Sequence, residues 1–409
     1  MTHYSAIIVG GGQAGLSASY YLQQQDIDHL VLEKHSVTHT WRHQRWDAFC
    51  LVTPNWQCAL PGYPYAGDDP HGFMKKDEII AYLDGFISKV NAPVREGVTV
   101  QRMTARAEGG YLLSTSAGDF SADQVIVASG GYHTPIIPRL AERLPVEIKQ
   151  IHSEQYRNPQ EMPEGAVLVV GSGQSGAQIA EDLHLAGRKV FLAVGDAPRC
   201  ARFYRGKDVV DWLADMGYYD IGVDTHPLRE GVRDNTNHYV TGRDGGRDID
   251  LRSFAREGMQ LFGRLENLEG TVLTFVDDLE TNLDAADAVY NRINASIDKY
   301  IDENNIQAPA GEMYKPLWKP EQQATRLDLA NSGISSIIWC IGFQPDFTWV
   351  DAPVFNGRSY PGHKRGVTTL PGLYFLGLPW LHTWGSGRFS GVARDAQYVV
   401  EHLSSQRKQ

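Results

Sequence analysis

The sequence predicts an α/β fold in which one chain carries two copies of a β-α-β unit, one domain being inserted into the other. Three observations lead there. An apolar run from Ser5 to Val9 passes through a glycine turn into helical spacing from Ala14 to Gln25, then into a second run from His29 to Glu33. The same order returns from Ala166 to Val170, through a glycine turn at 171 to 176, a helix to Ala186 and a run from Lys189 to Val194. At 409 residues the chain also exceeds one ordinary core, so two are expected.

In the first unit, Gly10, Gly12 and Gly15 form G-x-G-x-x-G directly after a strand and at the opening of a helix, with Gln13 and Ala14 inside the turn. Bare backbone at a positive helix end suits a pyrophosphate. Glu33 ends the second strand, where a carboxylate can accept hydrogen bonds from a ribose diol. Such a unit holds FAD or NAD. Its place near the N-terminus, with the chain returning to a C-terminal strand and helix, favours FAD. The segment VIVASGGY, Val125 to Tyr132, runs from a strand into small residues, so Ser129 and Gly130 are expected where the chain crosses close to that cofactor.

The second unit repeats the spacing at Gly171, Ser172, Gly173, Gln174, Ser175 and Gly176, but its second strand ends Val194-Gly195 without an acid. Arg199, Arg202, Arg205 and Lys207 follow. A missing carboxylate spares a 2′-phosphate from repulsion and arginine can bind one bidentately, so NADPH is preferred and Arg199 or Arg202 is the expected ligand. The alternative is a solvated cationic cluster. The fold class is thus two Rossmann-like dinucleotide-binding domains: a discontinuous FAD domain over 1–160 and 331–409, and an inserted NADPH domain over 161–330. A partly helical insertion occupies about 204–310. Within it, residues 204 to 265 read as a surface loop or a lid, and spaced apolar residues from 277 to 304 as one or two amphipathic helices. Strands are expected at 334–341 and 373–376, and a closing helix at 391–403.

Bulk properties narrow the function. Hydrophobic residues at 42% and charged residues at 21% are globular values, and no apolar run is long enough to cross a bilayer. The opening MTHYSAIIVGGG enters a strand at once, leaving no room for a signal peptide, so a cytoplasmic protein is expected. Cys50, Cys58, Cys200 and Cys340 lie far apart with no C-x-x-C pair, which argues against a metal site or a dithiol centre. A net charge of -11 disfavours nucleic acid or an anionic membrane as partner.

Four segments resemble the flavin-containing monooxygenases, over most of the chain: HTWRHQRWDAFCLVTPNWQCALPGYPY, ASGGYHTPIIP, IIWCIGFQPDF and LPGLYFLGLPWLHTWGSGRFSGVARDA. The group's identifying motif, F-x-G-x-x-x-H-x-x-x-[YFW], survives only in its second half, as His152 and Tyr156. Tyr156 leans toward the N- or S-oxygenating branches. More narrowly, the chain resembles a bacterial family of flavin-dependent oxidoreductases usually predicted from genes neighbouring nitrilases. The resemblance implies an FAD- and NADPH-dependent monooxygenase forming a C4a-(hydro)peroxyflavin, with O2 and a small nucleophilic or carbonyl molecule as substrates. A homodimer is implied as well. Alternatives are an NADPH reductase with another electron acceptor, or a non-catalytic flavin-holding partner protein. On this reading Asn55 is the catalytic candidate beside the flavin, or else a turn residue after Pro54. Trp41 and Trp56 would line the cavity or the core, and Arg42 would meet the FAD pyrophosphate. Gly377 and Ser386 would belong to the C-terminal flavin-binding loop, with His382 and Trp384 beside the ring or simply packed. His152 reads as a structural link between domains or a proton-transfer group.

Overall fold

The computed structural model describes residues 1–357 and 360–407. Along the chain, the elements that position the site are β1 (Thr2–Val9), α1 (Gln13–Gln24), β2 (His29–Leu32), α2 (Lys76–Val90), β3 (Gly118–Val127), β4 (Lys149–His152), β5 (Ala166–Val170), α3 (Gln174–Leu185), β6 (Val190–Ala193), β7 (Gln260–Phe262), α4 (Leu279–Glu303), β8 (Ile334–Trp339), β9 (Leu373–Phe375) and α5 (Val392–Arg407).

They form two separate sheets. In the first, β1 runs parallel to β2 on one side and β3 on the other, with Ile8 opposite Val31 and Ile7 opposite Val125. β9 returns from the C-terminal region to pair in parallel with β3. The second sheet is parallel throughout, in the order β4, β8, β5, β6, β7. Strands covered on both faces read as continuous apolar runs, which is why AIIV and AVLVV stand out in the sequence. Ala6 and Ile8 pack toward α1, α2 and α5, while Ile7 and Val9 enter the core on the opposite face. Val167 and Val169 divide from Leu168 and Val170 in the same way in the second sheet. The two linkers between the sheets lie side by side, Thr134–Pro135 pairing antiparallel with Phe343–Gln344.

Two sequence expectations need adjustment, and a third resolves to one of its alternatives. Residues 149–152 and 334–339 both belong to the second sheet, so the boundaries expected at 160/161 and 330/331 do not follow the sheets. The strand KQIH mixes polar and apolar residues and carries no periodic signal. Residues 204 to 265 are more than a loop. They contain helices at Val209–Asp215 and Leu251–Arg256, and β7, the edge strand of the second sheet. Residues 277 to 304 hold one continuous helix, α4, whose Leu279, Leu283, Ala286, Tyr290, Ile297 and Ile301 form its buried stripe.

Candidate functional site

At the first glycine turn the three glycines have three different constraints. Gly10 has a φ of +115, and a Cβ there would stand 2.6 Å from the Ala128 carbonyl oxygen. Gly15 lets α1 settle on the turn, since its Cβ would lie 1.9 Å from the Gly10 oxygen. Gly12 faces open space, which leaves its backbone free for a ligand. Both oxygens of Glu33 are engaged from the turn side: Gly11 N–H donates to Oε2 at 2.6 Å and His35 N–H to Oε1 at 2.8 Å. A carboxylate has about four acceptor positions, so lone pairs remain for a diol.

Around this turn the expected neighbours assemble. The Ser129 hydroxyl is buried with no protein partner, and Gly130, with φ +79, faces open space. Gly377 packs so tightly on the first turn of α1 that a Cβ would meet the Ala14 Cβ at 2.6 Å. Gln13 donates from Nε2 to the Gly387 carbonyl at 2.9 Å and accepts from Trp41 Nε1 at 3.3 Å. Trp41 in turn stacks on Phe389, with ring centroids 5.1 Å apart. An orphaned buried hydroxyl, an open glycine and a helix N-terminus fit a bound dinucleotide.

The second turn matches the first atom for atom in its constraints. Gly171 has φ +101 with a Cβ position 2.6 Å from the Cys340 oxygen, Gly176 would clash at 1.9 Å with the Gly171 oxygen, and Gly173 meets only Thr236 at 3.9 Å. Gly10 N–H donates to the Leu32 carbonyl and Gly171 N–H to that of Ala193, so Val194 occupies the place of Glu33. Val194 is buried. Ser175 is exposed on the first turn of α3. Ser172 and Gln174 serve the fold instead: Ser172 Oγ accepts from Gly195 N–H at 3.0 Å, and the Gln174 amide pairs with both backbone groups of Val240.

Other expected site residues have different work. Asn55 is 4% exposed, with Nδ2 donating to the Asp69 carbonyl at 2.9 Å and Oδ1 accepting from Met74 N–H at 2.7 Å. Its carbonyl oxygen and one of its two amide hydrogens clamp the 69–74 loop, so it serves as a turn residue there. Trp56 donates to Asp211 at 2.7 Å beside His71, in a cleft of about 370 Å³. Arg42 pairs with Asp84 on α2 and does not stand free for a pyrophosphate. Arg199 is 2% exposed, 2.7 Å from Asp287 and packed on the rings of Tyr290 and Tyr314. Arg202 is 1% exposed, paired with Asp208 and donating to the Val52 carbonyl at 2.7 Å. Neither arginine is available to a 2′-phosphate, because each is the cation of a buried pair.

Ser386 is likewise a scaffold residue. Its hydroxyl donates to Asp395 on α5 while accepting from the N–H groups of His382 and Thr383, shaping the loop from within. Burial raises the Asp395 pKa above the ordinary carboxylate range. His152 is buried with Nε2 on the Gly342 carbonyl at 3.1 Å and Nδ1 accepting from Glu154 N–H at 3.4 Å, which makes it a link between strand and linker. Tyr156 is buried and donates to Asp182 at 2.8 Å. Trp384 packs on Tyr219 at 4.8 Å, and the Gly222–Thr383 bridge lays the insertion over this loop.

Two matched strand, glycine-turn and helix units in one chain, joined by a paired double linker, define a two-dinucleotide-fold oxidoreductase. The chain belongs to the pyridine nucleotide-disulphide oxidoreductase family, whose pattern residues 7–213 match across both glycine turns. It is similar to an uncharacterised CzcO-like oxidoreductase of Geobacillus kaustophilus, 30% identical over 404 residues, covering 97% of each chain. It is also similar to the indole-3-pyruvate monooxygenase YUCCA1 of Oryza sativa, 30% identical over 192 residues, 46% of this chain and 47% of that one. A flavin-containing monooxygenase from Stenotrophomonas maltophilia shares the fold over 99% of both chains at 19% identity, with a TM-score of 0.66. The protein is therefore an enzyme, an oxidoreductase of that family. Among the described residues, no helix is long and apolar enough to cross a membrane.

Proposed function

We propose that this chain is an FAD-dependent, NADPH-consuming monooxygenase that oxygenates a small nucleophilic or carbonyl substrate. The observation that carries the reading is the asymmetry between two otherwise matched glycine turns: Glu33 stands at the first and Val194 at the same place in the second. The first turn takes FAD through its free ribose diol, and the orphaned Ser129 hydroxyl beside Gly10 supports that assignment. The second takes NADPH, since no carboxylate at position 194 repels a 2′-phosphate. With Arg199 and Arg202 buried in ion pairs, the preference rests on that missing acid. The FAD domain then comprises the first sheet with α1, α2 and α5, and the NADPH domain the second sheet with the insertion.

Bound flavin supplies hydride acceptance and oxygen activation. The chain's part is to bind, orient and exclude water. Gly12 and Gly173 present open backbone at the N-termini of α1 and α3, where helix ends favour pyrophosphate charge. Glu33 fixes a ribose. The insertion, through Tyr219 against Trp384 and Gly222 against Thr383, covers the C-terminal loop and shields what lies beneath it. A labelling experiment tests the reading: flavin-loaded protein, NADPH and oxygen-18 gas are incubated with extract of its own cell. An oxygenated product carrying one labelled atom is expected. If NADPH bleaches the flavin but no product carries label, the reductase reading replaces this one.

A further inference from the structure

Each of the four cations that follow β6 is paired with a carboxylate: Arg199 with Asp287, Arg202 with Asp208, Arg205 with Asp298 and Lys207 with Asp215. A 2′-phosphate at the second glycine turn therefore needs another partner, and the register of the two sheets shows where one stands. In the first sheet Leu32 of β2 pairs with Arg95 of the short strand Val94–Arg95, and in the second Ala193 of β6 pairs with Phe262 of β7. The next hydrogen bond repeats as well: Glu33 N–H donates to the Arg95 carbonyl at 3.0 Å, and Val194 N–H to that of Phe262 at 2.8 Å. Positions 33 and 194 are thus equivalent and so, by count along the chain, are 97 and 264. Both positions change together. The first turn has an acid, Glu33, and at 97 a glycine with φ +71 and open space around it. The second has Val194 and, at 264, an arginine. An acid facing bare backbone suits a free diol, whereas a missing acid facing a cation suits a phosphate.

Arg264 is fixed beside this corner without being buried in it. Its Nε donates to Asp278 Oδ2 at 2.6 Å and its backbone N–H to Asp278 Oδ1 at 2.9 Å, so one carboxylate at the head of α4 holds both ends of the residue. The side chain is 60% exposed, against 2% for Arg199 and 1% for Arg202. Among the described residues, neither Nη of Arg264 has a hydrogen-bond partner. The corner has the same support. Asn282, one turn along α4 from Asp278, donates to the Val194 carbonyl at 3.1 Å, and Gly195 N–H donates to Ser172 Oγ of the glycine turn at 3.0 Å. A Cβ on Gly195 would meet nothing, so the backbone there is open. Asp278, through its hydrogen bond and its charge, and then the charge of Asp196 raise the Arg264 pKa.

We propose that Arg264, reaching in from the end of β7, is the residue that selects the 2′-phosphate of NADPH. This rests on the NADPH assignment above and names the side chain that decides it. Asp278 takes the Nε edge of the guanidinium and leaves the Nη edge, whose N–H groups can form charge-assisted hydrogen bonds to phosphate oxygens. Asp196, an exposed carboxylate two residues past Val194, opposes a phosphate at the same corner. Selection for NADPH therefore depends on a single cation, and one substitution removes it.

The test is calorimetric titration of the oxidised, flavin-loaded protein with NADP+ and NAD+, which needs no turnover. The parent should bind NADP+ about tenfold or more tightly than NAD+, and R264Q should erase that margin by weakening NADP+ alone. Its NAD+ dissociation constant should stay within about twofold of the parent value, which shows that the cradle is still folded. R264K should restore part of the margin, because it returns the charge without the fork. The proposal is overturned if R264Q weakens NAD+ as much as NADP+, since Arg264 would then serve only the fold, or if it weakens neither. A parent that binds NAD+ more tightly than NADP+ sinks the NADPH assignment by itself. Arg264 then stands as the 2′-phosphate residue if R264Q still weakens NADP+ alone, and falls with that assignment if it does not.

Discussion

A Cβ at position 15 would lie 1.9 Å from the Gly10 oxygen, whereas one at position 12 would meet nothing. Gly15→Ala and Gly12→Ala therefore separate packing from ligand approach. Gly15→Ala should destabilise even the flavin-free protein, by about 1–3 kcal/mol, because the turn or α1 must shift. Gly12→Ala should leave that melting temperature unchanged and weaken only flavin retention. Equal melting losses in the two variants would show that position 12 is not open. Asn55 offers a second contrast. Asn55→Ala leaves the buried Met74 N–H without its acceptor, a cost of about 1–3 kcal/mol, while turnover per bound flavin should hold. Denaturant midpoints and flavin-normalised rates check both halves. The sequence placed Asn55 after Pro54 but could not show its partners, because they belong to a loop more than a dozen residues onward. The open position of Gly12 was legible for the opposite reason: it depends on local backbone and on nothing distant.

Elements show the same division between local and distant information. The buried stripe of α4 is periodic and was readable, as were β1 and β5 as apolar runs. The three-residue edge strand β7 and the polar β4 owe their pairing to neighbours far along the chain. The same limit misplaced Arg199, whose partner Asp287 lies on α4. Asp287 also holds Arg252 at 2.8 Å, so a single carboxylate anchors two buried guanidinium groups between α4 and the chain beneath it. Asp287→Ala should cost about 3–5 kcal/mol, the range for stripping the partner from a buried charge. Charge reversal at Arg199 should lower stability comparably and raise the Michaelis constants for NADPH and NADH by the same factor. A selective loss for NADPH in a variant of parental melting temperature would return Arg199 to the 2′-phosphate.

For the whole molecule, acid sensitivity follows from histidines held neutral. Burial, aided by Arg233, pushes His363 down to about 4, and its Nδ1 accepts from Gly366 N–H at 3.2 Å. Burial brings His238 to about 4 as well. An unfolded histidine titrates near 6.5, so between that value and about 4 the unfolded chain binds more protons than the folded one. The contribution to stability is therefore full above about pH 6.5 and is lost as pH falls toward about 4. His363→Asn keeps an acceptor but cannot charge, so its melting temperature relative to the parent should improve between pH 8 and pH 5. A constant difference across that range would remove His363 from the acid response.

The proposed assignment of FAD to the first cradle and NADPH to the second implies a direction for electrons, and matched substitutions can read it. Gly173 meets only Thr236, at ordinary contact distance, so Gly173→Ala should fold and keep its flavin. It should resist bleaching by NADPH yet still be bleached by dithionite, because the nicotinamide cradle is impaired and the flavin one intact. Gly12→Ala should instead emerge with little flavin to bleach. Normal bleaching of Gly173→Ala by NADPH would place the nicotinamide elsewhere, and the asymmetry between Glu33 and Val194 would then need another cause.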